Sequence, residues 1–116
     1  MSNAKLKNDI YDFIKSRHSG VTFTELARHV EGFGGDIGMK LSENLIISCN
    51  NNSDAAICLD DLMKERVIYA QVANPIAYLH DGDLPNLPIA WKVKQYKSPH
   101  FLPVTFGVVV TEPKTP

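Results

Sequence analysis

The sequence predicts an α+β fold: three helices, then a small antiparallel β-hairpin sheet, then a Pro-flanked carboxyl-terminal arm. Three observations carry this. Apolar residues recur at helical spacing near the amino end, a capping box opens a second helix, and beyond Arg66 the chain changes to β-branched and aromatic residues broken by turn signals. A chain of 116 residues, 44% apolar and 22% charged, suits a single core that buries roughly two-thirds of the unfolded surface.

In the first helix, residues 5–17, Leu6, Ile10, Phe13 and Ile14 fall at i, i+4, i+7 and i+8, a stripe that packs on a core. Gly20 is the expected stop. Thr22 and Glu25 then form the capping box, with Val21 and Leu26 placed as its hydrophobic staple, so a short helix runs to about Val30. Gly32, Gly34, Gly35 and Gly38 come next and read as a connecting loop. The glycines of GFGGDIG do not follow a strand and open a helix, and no Gly-Lys-Ser/Thr is present, so nothing here specifies a nucleotide cofactor.

Residues 44–48 (NLIIS) fit either a buried strand or an extended segment. Asn50, Asn51, Asn52 and Ser53 offer caps for a third helix over SDAAICLDDLMKER. On its wheel Ala55, Ala56, Cys58, Leu59, Leu62 and Met63 share one side, while Asp54, Asp60, Asp61, Lys64 and Glu65 share the other. The next elements are expected to be extended: residues 67–72, a corner at Asn74-Pro75, and residues 76–80 up to the Asp81-Gly82 turn. Ile89, Trp91 and Val93 alternate with Ala90, Lys92 and Lys94, the period of a half-buried strand with Trp91 in the core. The run 104–111, bracketed by Pro103 and Pro113, reads as an edge strand or docked arm. The expected organisation is thus a domain over residues 1–97 and an arm over 98–116, packed on the same domain or on a partner.

Helix, short capped helix, longer helix and then a hairpin with a loop at its tip resembles the winged helix-turn-helix superfamily over roughly residues 5–94. The segments carrying the resemblance are TFTELARHV, SDAAICLDDLMKERVI and the pair YAQV and AWKV. The resemblance implies a third helix in the position of a DNA-reading helix. That helix would present Asp54, Ile57, Asp60 and Asp61, opposed only by Lys64, where base edges and phosphates call for donors.

Charge points the same way. Residues 31–65 hold two Lys/Arg against seven Asp/Glu, and the whole chain has a net charge of −1, whereas phosphate binders draw affinity from a basic surface. The expected function is therefore a non-catalytic binding or regulatory module that engages a protein partner or a second copy, with Asp54, Ile57, Asp60 and Asp61 as the contact face. The alternative is a DNA-binding regulator that holds phosphates through wing residues Lys92, Lys94 and Lys97 together with Arg28.

Asp60 and Asp61 are adjacent and project about 100° apart on a helix, so they cannot share a proton as a catalytic pair. His18, His29 and His100 have no Ser, Cys or Asp at a motif spacing, and His80, Asp81 and Asp83 read as a turn. No catalytic, cofactor or metal site is assigned. Cys49 and Cys58 are expected to be reduced and buried. With no ~20-residue apolar run and no apolar leader in MSNAKLKND, a cytoplasmic location and no membrane partner are expected.

Overall fold

The computed structural model describes residues 3–80 and 85–110. The fold is α+β, and its described residues form four helices rather than three: α1 (Ala4–Arg17), α2 (Phe23–His29), α3 (Ser53–Lys64) and α4 (Ile76–His80). Five strands accompany them: β1 (Met39–Ser42), β2 (Leu45–Ser48), β3 (Ile68–Val72), β4 (His100–Phe101) and β5 (Val104–Val108).

Helix α1 buries Leu6, Ile10 and Ile14 against α3 and β5. It ends before Gly20. His18 is the C-cap, at φ 70°, with its N–H donating to the carbonyls of Ile14 and Lys15. Helix α2 opens with both bonds of the capping box formed between Thr22 and Glu25, as the sequence indicates. Helix α3 is capped by Asn52, whose side chain accepts from the Ala55 N–H.

The glycine-rich connector is pinned rather than open. Phe33 is fully buried, and the asparagine run fastens the segment: Asn52 N–H donates to Phe33 C=O, Gly35 N–H to Asn50 C=O, and Ile37 and Gly38 N–H to Asn51 C=O. Gly38 is needed there. Its φ is +83°, and a Cβ at that position would lie 2.6 Å from the Ser48 carbonyl oxygen. The chain then forms a β1–β2 hairpin, which settles residues 45–48 as a strand, and β4 adds to β2 in parallel.

Three sequence expectations change downstream. Residues 76–80 are helical, because Asn74 and Pro75 act as a helix start: the Asn74 side chain accepts from Ile76 N–H, and Pro stands where a missing N–H costs nothing. The segment 89–94 forms no strand beyond an isolated bridge at Ile89. Among the described residues its only partner is β4, which stops after two residues between Pro99 and Pro103, so pairing ends once Ala90 N–H has donated to Phe101 C=O. Trp91 is accordingly 72% exposed instead of buried.

The strand that pairs with β3 is β5, antiparallel, in register from Ile68 opposite Val108 to Val72 opposite Val104. All five β5 residues are buried. Residues 73–103 leave and re-enter at one point, closed by Ala73 N–H donating to Pro103 C=O. The other side of β5 is also occupied. Val21 and Phe106 exchange both backbone hydrogen bonds, Val108 N–H donates to His18 C=O, and Val104 C=O accepts from the buried Tyr78 hydroxyl. Phe23, Phe33 and Phe106 meet at the centre of the core. No described helix is long and apolar enough to cross a membrane.

Candidate functional site

Asp54, Ile57 and Asp61 stand at i, i+3 and i+7, so α3 presents them along one line. Ile57 is 60% exposed and is not covered by the glycine-rich segment, so its side chain is an apolar point on a polar surface. Across from it the first turn of α1 supplies Asn3, Ala4 and Lys7. Together these residues enclose a groove of about 400 Å³ with Cys58 at its base. Ala4 and Lys7 also border a second depression of about 330 Å³, lined by Tyr11, Leu62, Glu65 and Val67 among others, so the two lie end to end along the seam between α1 and α3. An ion pair between Lys7 and Glu65 crosses this seam.

Asp60 does not join the groove. It pairs with Lys64 one turn away at 2.8 Å, and the hydrogen bond that Lys64 donates to this carboxylate raises the ammonium above its ordinary value. Lys7 is raised likewise, chiefly by its hydrogen bond to Glu65, with Asp61 adding to it. Burial pushes the Cys58 thiol up, and Asp61 and Asp54 reinforce the shift, so this sulfur stays a protonated thiol packed in the base of the groove. The groove thus offers an apolar centre flanked by the Asp54 and Asp61 carboxylates. That combination suits a ligand with an apolar anchor beside a cation.

The second group of sequence-derived residues lies elsewhere. Lys92, Lys94 and Lys97 are all exposed on the segment after Ala90, with Trp91 and Val93 exposed between them. Tyr96 organises this segment. Its hydroxyl donates to Lys92 C=O at 3.0 Å, its ring lies 5.0 Å from the Lys94 ammonium and stacks on His100, and its carbonyl accepts from Asn44 Nδ2 at 2.7 Å. Arg28 lies on the separate helix α2.

Trp91 is one residue that sequence reasoning misplaced. Its signal was the cluster of Pro85, Pro88, Pro99 and Pro103, which leaves too little partner strand to bury an alternating pattern. Cys49 is exposed, not buried, and no disulfide joins it to Cys58. His29 stacks on Phe13, and no group of three His, Cys, Asp or Glu side chains suited to a metal occurs among the described residues. The expected turn at Asp81 and Asp83, and the His80 side chain, lie outside the described residues. No protein-family model, curated protein or solved structure matches the chain.

Proposed function

We propose that the chain is a cytoplasmic, non-catalytic binding module of winged-helix type that engages a protein partner through the α1–α3 groove. The observation that carries the reading is Ile57: an exposed aliphatic side chain between Asp54 and Asp61, at the mouth of a groove rather than on a flat surface. The winged-helix part is supported by the run of α1, capped α2 and α3 into β3, and by the antiparallel β3–β5 pair with residues 73–103 as the excursion at its tip. The partner that fits is a segment with one apolar anchor flanked by Lys or Arg, since it would bury Ile57 and place cations beside both carboxylates.

Selection of a displayed peptide library on the full chain tests this. Peptides with that pattern should be enriched, should bind more weakly as salt rises, and should lose binding to Ile57→Asp protein whose circular dichroism is unchanged. Enrichment indifferent to Ile57→Asp refutes the groove.

A second reading rests on a different observation, the exposure of Trp91 among Lys92, Lys94 and Lys97. Lysines that hold phosphates beside an aromatic that can stack on a base suit a nucleic acid held by its backbone, with Arg28 as a further phosphate contact. Fluorescence anisotropy of a labelled random-sequence duplex at low and near-physiological salt decides it. Saturable, salt-sensitive binding that is lost when Lys92, Lys94 and Lys97 become Glu supports this reading, and absence of binding at low salt removes it.

A further inference from the structure

The seam between α1 and α3 holds two apolar sites rather than one. In the first, the exposed Ile57 side chain shares the groove with Ala4 and Cys58. In the second, Leu62 is buried while Tyr11 and Val67 are half-buried and reach the surface. Lys7 lines both, so its ion pair with Glu65 marks the boundary between them.

The two sites differ in charge. Lys7 and Glu65 satisfy each other, whereas Asp54 and Asp61 in the first site are in no ion pair among the described residues. An occupant of the whole seam is therefore complementary when it brings cations to the first site and only an apolar group to the second.

The conformation of that occupant follows from the backbone. Beyond their first turns, α1 and α3 use their N–H and C=O groups within their own helices. An extended segment laid along the seam would bury its peptide groups without partners, which is costly, whereas a helix arrives with its own already bonded.

Its spacing follows from α3. From Ile57 the rise along the axis is about 7.5 Å to Leu62 and about 12 Å to Glu65. On a partner helix, residues i and i+4 are about 6 Å apart and residues i and i+7 about 10.5 Å, so the wider spacing spans the two sites. The turn between passes over the Lys7–Glu65 pair. A bulky apolar side chain there would strip water from both charges, so a small residue belongs at i+3 or i+4.

We propose that the partner of this seam is an amphipathic helix with apolar anchors at i and i+7, a small residue at i+3 or i+4, and Lys or Arg beside the first anchor. The inference rests on the groove reading above and adds the second site, the helical conformation and the spacing.

The probes are displayed peptides retained by the full chain and not by folded Ile57→Asp protein. They should carry the i, i+7 pattern without proline between the anchors, and should gain helical circular dichroism on binding. Replacing the second anchor of such a peptide by Ser should weaken its binding to the native protein at least tenfold. In Tyr11→Ala protein that loss should shrink, since the wall that the anchor meets is already gone. Ile57-dependent peptides with a single anchor, with proline inside the span, or indifferent to the Ser replacement overturn the two-site helix and leave the groove reading standing. If no retained peptide depends on Ile57, the groove reading fails and this inference falls with it.

Discussion

Replacing Tyr78 by Phe should cost about 2–6 kcal/mol through two hydrogen bonds, with the packing left in place. The side chain is 2% exposed. Its hydroxyl donates to Val104 C=O at 2.6 Å and accepts from Phe23 N–H at 3.1 Å. Neither backbone group has a substitute partner in the regular structure. Phe23 is the first residue of α2, where N–H groups have no carbonyl one turn behind them, and Val104 C=O faces away from the β3 ladder. Leaving a buried donor or acceptor unsatisfied costs about 1–3 kcal/mol each.

The ring remains in Tyr78→Phe, so its edge-on contact with Phe101, at 5.2 Å between centroids, survives and the loss reports the hydroxyl alone. Against a total stability of about 5–15 kcal/mol, this is a large share. In urea unfolding followed by circular dichroism, the midpoint should fall by about 1–3 M with an unchanged slope. A midpoint that moves by less than about 0.3 M would mean that the hydroxyl does not join α2 to β5, and that other contacts hold β5 on that side.

Gly38→Ala should destabilise by about 2 kcal/mol or more, because a Cβ is both strained at φ +83° and set 2.6 Å from the Ser48 carbonyl oxygen; a neutral effect in urea unfolding would contradict the pinned geometry of that segment. In native protein a thiol reagent should modify Cys49 at once and Cys58 only on unfolding, since Cys49 is exposed while Cys58 is buried and its thiol is held protonated. His18→Gly should stabilise by about 1 kcal/mol by relieving the positive φ, which melting temperature will show.

Stability should also fall on the alkaline side. Cys58 lies above its ordinary 9.0 in the folded chain, and Lys7 and Lys64 lie above 10.5. For the two lysines, a raised folded value contributes stability that is fully present below the unfolded value and lost as pH rises through the folded one. The same sign holds for the Cys58 thiol, whose neutral form the fold favours. Urea midpoints should therefore decline above about pH 9, with Cys58→Ala removing the earliest part of the decline. A midpoint that rises between about pH 9 and 11 would reverse the assignment.

Local rules read the helices well and the sheets poorly. The stripe of α1, the Thr22–Glu25 box and the Asn52 cap are decided within a few residues of chain, so they are visible in sequence. The partner of β3 is not: YAQV could pair with AWKV or with VTFGV, and the choice depends on which strand buries more. Val104, Phe106 and Val108 are all buried, whereas Trp91 and Val93 are not. Asn74-Pro75 shows a different limit, since one dipeptide serves as a turn corner or as a helix start, and the residues after it decide between them. At the candidate site, the polar face with Ile57 was legible from periodicity, but the opposite wall of the groove comes from α1, and no spacing rule links Lys7 to Asp61.

The closure of residues 73–103 by β3 and β5 also sets the order in which the protein can be completed. During synthesis β3 leaves the ribosome well before its partner, and at roughly 5–20 residues per second the wait is a few seconds. Until Val108 emerges, Val21 has no Phe106 to bond, Phe23 lacks the ring that packs against it, and β3 is without its β5 ladder. The seating of α2 and of the segment before it therefore waits on residues 104–108.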